Sequence, residues 1–215
     1  SIHLTSFAAG VLLGLVFLDL LPEAIDEGLP HDQALVWALS GFLILFLLEA
    51  FFLRLHSHYH ESKEHITKNT PWLLLIGDTI HNFLDGVAIA ASFIISIPLG
   101  ITTALAIAAH EIPQEVGDFA IMIRAGWSNK KTLFLNIISS LFTVLAAILA
   151  FIFREQIEPF VGALLSVTAG VFIYISATDL IPELHHTPKR DKMSHIVGLF
   201  ILGILVVGFL VNFLE

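Results

Sequence analysis

TLFLNIISSLFTVLAAILAFIF, residues 132–153, carries no charged side chain along its 22 positions. Coiled as an α-helix at about 1.5 Å per residue, such a stretch is long enough to cross a hydrocarbon core of about 30 Å. A transmembrane β-strand would instead show about ten residues alternating apolar and polar, whereas this stretch is apolar all round. The reading is therefore all-α and membrane-spanning, and the rest of the chain repeats it. Seven apolar blocks, each bounded by Pro, Gly or charge, run over about residues 5–26, 33–54, 72–96, 99–124, 132–153, 158–182 and 195–213.

Composition agrees, because 56% hydrophobic residues, 13% charged residues and a mean hydropathy of +0.87 exclude a soluble domain of this size. The short connections favour one compact polytopic helical bundle over residues 1–215. The longest connection, Leu55 to Thr70, is polar and histidine-rich. With no cysteine, disulfides, thiolate metal sites and cysteine nucleophiles are excluded. The net charge of −9 says little about partners, since the acids fall partly within the spans, and nothing supports nucleic-acid binding.

Sorting the basic residues between alternate sides of seven spans gives an orientation. Arg54, Lys63, Lys68, Arg124, Lys130, Lys131, Lys189, Arg190 and Lys192 all fall on one side and only Arg154 on the other. The expectation is that the first nine face the cytoplasm, and that the loop with Glu23, Asp26, Glu27 and Asp32 faces outward. Asp19-Leu-Leu-Pro22-Glu23 in the first span recurs as Asp179-Leu-Ile-Pro182-Glu183 in the sixth, which runs in the opposite direction. Inverted repeats are a recurrent plan of secondary transporters. The second copy follows a whole span and the first follows almost nothing, so the repeat leads to the expectation of one further helix ahead of this chain.

Ionisable groups are costly near the bilayer centre and are usually functional there. The third span carries Asp78, His81, Asn82 and Asp85, and the fourth carries His110, Glu111, Gln114, Glu115 and Asp118. Residues four apart share a helix face, so His81 lies above Asp85 and His110 above Gln114. The five residues SIPLG join the two spans as antiparallel neighbours, which lets His81, Asp85, His110 and Gln114 meet as a nitrogen and oxygen shell. Asn82 and Glu111 extend that face sideways. The donor types suit Zn²⁺, Cd²⁺, Fe²⁺, Mn²⁺ or Co²⁺ and disfavour copper(I). Pro113 should kink its helix beside the site, and Gly86 and Gly117 should allow close helix approach.

Further polar positions have two readings each. Asp19 and Asp179 either line an ion path, pair helices or face water, and Glu49 is similarly open. Asp118 and Asp78 either face water or neighbours or belong to the path. Glu115 is either an orienting acid or a ligand of a second ion. Asn136 and Ser139, one turn apart, complete a second ion's shell or simply join helices by hydrogen bonds. The run HSHYHESKEH, with His56, His58, His60 and His65, is read as a site of transient metal capture or as a solvated linker. His185 and His186 sit at a similar exit.

HNFLDGVAIAASF (81–93) and HEIPQEVGDFAI (110–121) resemble the fourth- and fifth-helix motifs of the ZIP (zinc- and iron-regulated transporter-like) metal carriers. The second is similar to the subfamily motif HEXPHEXGD, with Gln114 at the second histidine. FAAGVLLGLVFLDLLPEA (7–24) resembles the family's second helix. The resemblance extends over essentially the whole chain and implies eight helices, of which the seven blocks here are helices two to eight. It also implies a binuclear metal centre, with one site on His81, Asp85, His110 and Gln114 and an adjacent one on Asn82, Asp85, Glu111 and Gln114. Uptake of Zn²⁺ or another divalent metal toward the cytoplasm by an elevator-like movement follows from it, with the metal as substrate and no cofactor, and a homodimer is compatible with it. The rival readings are an intramembrane zinc protease, because HEIPQ nearly spells HExxH, and a non-transporting metal sensor. Gln114, Pro113 and the order of the two segments oppose the protease.

Overall fold

The computed structural model describes residues 2–57, 70–185 and 193–214. The histidine run falls outside the described residues, as does the side chain of His56, so its metal-capture reading has no structural counterpart. His186 lies outside them too.

The described residues form helices and no strand. Seven long helices follow one another: α1 Ile2–Asp26, α2 His31–Ser57, α3 Thr70–Ile95, α4 Ile97–Arg124, α5 Asn129–Ile152, α6 Arg154–Leu184 and α7 Met193–Leu214. All but α4 are long and apolar enough to cross a membrane. Helix α4 has the length, with 28 residues, but carries the polar cluster around His110. The expected blocks and the helices coincide to within a few residues at most ends.

Local chemistry explains the ends. Ser96 caps α4, its hydroxyl accepting from the Leu99 amide at 3.2 Å, so one residue separates α3 from α4 and the two run antiparallel. Gly28 and Gly126 take positive φ after α1 and α4, which lets the next amide bond back to the helix, Leu29 to Ala24 and Trp127 to Met122. These two turns mark opposite ends of the bundle, the Gly28 end and the Gly126 end.

Two long helix pairs frame the molecule, α1 with α7 and α2 with α6, while α3 packs along both α5 and α4. The pairs are tight. A Cβ at Gly170 would stand 1.7 Å from the Ala38 carbonyl oxygen on α2, and one at Gly86 would stand 2.1 Å from the Thr143 carbonyl oxygen on α5. Gly86 thus gives the expected close approach. Gly117 does not: nothing lies within 4 Å of a Cβ built there, because it faces a cavity rather than a neighbouring helix. Helix α4 continues through Pro113 from Ile97 to Arg124.

Small and apolar side chains of α1, α3, α4 and α6, among them Leu12, Leu15, Ala91, Ala106, Leu165 and Phe172, form the core. Outward, α5 presents Phe134, Ile137, Leu141 and Ile148, an apolar surface suited to lipid. At the Gly126 end, Trp72 of α3 and Trp127 meet edge to face with centroids 5.0 Å apart. The Lys131 ammonium of α5 sits 3.7 Å from the Trp127 ring and 5.0 Å from that of Trp72.

The repeated Asp-Leu-x-Pro-Glu segments share a backbone form. Each contains one π-helical turn, Val16–Leu20 in α1 and Ser176–Leu180 in α6, which ends just ahead of Pro22 and Pro182. Proline has no amide hydrogen and clashes with the preceding turn, and the wider turn relieves that crowding.

Candidate metal centre

Helix α3 supplies His81 and Asp85 from successive turns, and α4 supplies His110 and Glu111. One donor atom from each converges within 4.8 Å of the others. His81 Nε2 lies 3.3 Å from His110 Nε2, 3.6 Å from Asp85 Oδ2 and 3.3 Å from Glu111 Oε1. His110 Nε2 lies 3.4 Å from Asp85 Oδ2 and 3.7 Å from Glu111 Oε1. A tetrahedral Zn²⁺ with arms of about 2.0–2.2 Å has ligands separated by about 3.3–3.6 Å along each edge. The donor polyhedron therefore has the size of such an ion's shell.

The surroundings orient these donors. His110 is fully buried, and its Nδ1 faces the Ala106 carbonyl at 3.2 Å. A carbonyl only accepts, so Nδ1 carries the hydrogen and the Nε2 lone pair is left pointing at the centre. Phe172 of α6 packs edge to face on the same ring at 5.6 Å. Asp85 Oδ2 and Glu111 Oε1 are buried with no hydrogen-bond partner. Two acceptors of negative charge aimed at two imidazoles form an array that a divalent cation would neutralise.

The remaining expected ligands lie around this group. Gln114, one turn beyond His110, lines a cavity beside the centre together with His81. Asn82 is buried and turned to α5: its Oδ1 accepts from Thr143 at 2.8 Å and its Nδ2 donates to the Asp78 carbonyl at 3.1 Å. A second group converges next door, with one oxygen each from Asp78, Glu111 and Glu115 within 4.8 Å of one another. Glu115 accepts from Ser140 at 2.8 Å, and Ser139 shares a hydrogen bond of 2.9 Å with Thr79.

The cavity, about 700 Å³, lies among α2, α3, α4 and α6 and reaches from His81 toward the Gly126 end. Glu49, Asp78, Asp118, Asp179 and Glu183 give it an acidic wall, with the Gln114 amide among them. The Tyr174 hydroxyl donates to Glu49, and the Thr178 hydroxyl donates to Asp179 at 3.0 Å. Toward the Gly28 end the same central helices close on apolar residues, and buried Asp19 accepts from the Thr102 hydroxyl of α4 at 2.5 Å. Tyr174 and Thr102 escaped the sequence reading. A threonine or tyrosine in a span is ordinary in composition, and only its partner in space makes it informative.

Comparison with known proteins follows the same lines. The family described as ZIP zinc transporter matches residues 53–211. Zinc transporter ZIP13 of Pongo abelii is 38% identical over 221 residues, covering 95% of this chain and 65% of that protein. Zinc transporter ZIP13 of Mus musculus is 32% identical, covering 99% of this chain and 70% of that protein. Zinc transporter foi of Drosophila melanogaster is 37% identical over 134 residues, covering 62% of this chain and 18% of that protein. The chain thus spans roughly two thirds of the ZIP13 proteins and under a fifth of the longer relative.

Proposed function

The chain belongs to the ZIP zinc transporter family, and from that membership we propose that it carries Zn²⁺ across a membrane toward the cytoplasm through His81, Asp85, His110 and Glu111. The observation that carries this reading is the convergence of four donor atoms, five of whose six separations are 3.3–3.7 Å and whose two carboxylate oxygens have no other partner. Two carboxylates cancel the charge of a divalent ion, so the loaded centre is neutral in a medium where net charge is costly. Two imidazoles favour Zn²⁺ while leaving Fe²⁺, Mn²⁺ and Cd²⁺ as further substrates of the same centre.

Release runs through the acid-walled cavity to the Gly126 end, which is the cytoplasmic end if Arg124, Lys130 and Lys131 obey the charge rule. The histidine run between α2 and α3 would then receive the departing ion. Entry from the Gly28 end requires the Asp19–Thr102 contact to part, so the two ends open in turn. A protease reading has no observation in its favour, since Gln114 occupies the place of the second histidine.

Uptake of radioactive zinc into proteoliposomes tests the proposal. Saturable uptake by the wild type should fall about 100-fold in His110→Ala, as loss of a ligand removes both charge-neutral binding and geometry. Undiminished uptake in His110→Ala by a folded protein would overturn the assigned centre.

A further inference from the structure

We propose that the cavity beside the metal centre binds a linear aliphatic polyamine, and that its occupancy obstructs the way out of the centre. The obstruction rests on the transport reading given above; the binding does not. The cavity is far larger than a metal cargo needs. Its volume is about 700 Å³, whereas six water molecules around an ion take about 180 Å³. Sites for small organic ligands span about 300–1,000 Å³. Gly77 and Gly117 keep it wide, since nothing lies within 4 Å of a Cβ built at either position.

The charges on its wall have one sign. Glu49 of α2, Asp78 of α3, Asp118 of α4, and Asp179 and Glu183 of α6 border the cavity, and no Lys or Arg among the described residues does. Carboxylates within membrane spans are costly unless water or a cation offsets them, so the fitting occupant is cationic. A single metal ion does not collect them. Among the described residues, Glu49, Asp118, Asp179 and Glu183 join no group of three donors that converges within 4.8 Å, unlike the residues of the centre. Two of these acids are held in place by the wall itself, Glu49 by the Tyr174 hydroxyl and Asp179 by the Thr178 hydroxyl at 3.0 Å. Carboxylates set apart in this way suit several positive charges carried at intervals on one molecule.

Between the carboxylates the wall is apolar. Leu45 and Leu48 of α2, Leu73 and Leu74 of α3, and Ile175 and Leu180 of α6 line it. Along α6, Asp179 and Glu183 stand one helical turn apart, with Cβ atoms separated by about 5–6 Å, and Leu180 lines the cavity between them. A polyamine has the same alternation, ammonium groups separated by short runs of methylene. Its ammonium groups donate to the carboxylates while its methylenes leave water against the leucines and isoleucines. A compact hydrated dication such as Mg²⁺ gains only the first of these.

Isothermal titration calorimetry of the purified, metal-free full chain in a neutral detergent, with spermine as the probe, tests the binding. Saturable binding of one spermine is expected, with an α,ω-diamine of equal length bound about tenfold more weakly and a monoamine of that length more weakly again. Asp179→Asn and Glu183→Gln should each weaken spermine about tenfold by removing a charged acceptor. Gly117→Leu, which fills the cavity and changes no charge, should weaken it at least as much in a protein of unchanged helix content. Absence of saturable spermine binding by the wild type would overturn the proposal, as would unchanged affinity in Gly117→Leu or in both acid variants. Displacement by an equal concentration of Mg²⁺ at matched ionic strength would also sink it, since that marks a diffuse counter-ion atmosphere. The obstruction is read from zinc uptake by proteoliposomes with saturating spermine at the Gly126 end, which should cut uptake at least tenfold; undiminished uptake overturns the obstruction. A wild type that takes up no zinc even without spermine refutes the transport reading, and the calorimetric result still decides the binding.

Discussion

Residues 16–23 and 176–183 carry the same Asp-Leu-x-Pro-Glu text and adopt the same π-helical turn, yet they finish in opposite circumstances. Asp19 is buried and bound by Thr102 of α4, whereas Asp179 is exposed on the cavity wall and accepts from its neighbour Thr178. Helix α1 packs more fully on α4 than α6 does on α3, so one end is sealed and the other splayed. The local sequence dictates the turn, and the helix that faces the turn dictates whether a path exists there. Under the proposed transport function, exchanging the two environments would present the centre to the other side.

The comparison can be broken most severely by fixing the sealed end. The chain has no cysteine, so Asp19→Cys with Thr102→Cys, joined through two disulfides by a short bis-methanethiosulfonate reagent, should reduce zinc uptake to the liposome background, and a thiol reductant should restore the level of the unlinked variant. Uptake that survives complete cross-linking would show that this end need not open. Accessibility comes next: a single cysteine at position 179 should react with a water-soluble thiol reagent about tenfold or more faster than one at position 19, read by mass spectrometry in the metal-free protein. Equal rates would erase the distinction between the ends.

A smaller shift follows from Thr102→Val, which preserves shape and removes the hydroxyl that donates to Asp19. Losing that hydrogen bond costs about 1 kcal/mol, so the sealed end should open more often and cysteine labelling near the Gly28 turn should rise several-fold. The smallest effect belongs to Tyr174→Phe, which removes the hydrogen bond to Glu49 at the open end. About 1 kcal/mol of stability should be lost, a drop of a few degrees in the melting temperature, with uptake nearly unchanged.

Most of the fold was legible because each apolar block is about long enough to cross the bilayer core and is punctuated by Pro, Gly or charge. His81, Asp85 and His110 were legible because a four-residue step on a helix needs no tertiary information. Glu111 was harder to place, since face-sharing arithmetic ranks Gln114 first and neglects how far a glutamate side chain swings sideways. The commitment of Asn82 to Thr143 depends on α5 lying against α3, across 61 residues of sequence. Gly117 looked like a packing glycine and instead borders the cavity, because a small residue in a span suits an empty volume as well as a close neighbour. Asp78 and Asn136 were visible as polar positions, but their burial emerges only when three helices are assembled.

The Trp72, Trp127 and Lys131 cluster gives the molecule an optical property. Two of its three tryptophans sit edge to face beside an ammonium group at the junction of α3, α4 and α5. Indole emission is sensitive to a nearby charge and to a stacked ring, so any sliding of α3 past α5 alters its colour and yield. With Trp37 on α2 exchanged for phenylalanine, the native chain would report helix movement during a transport cycle without an attached dye.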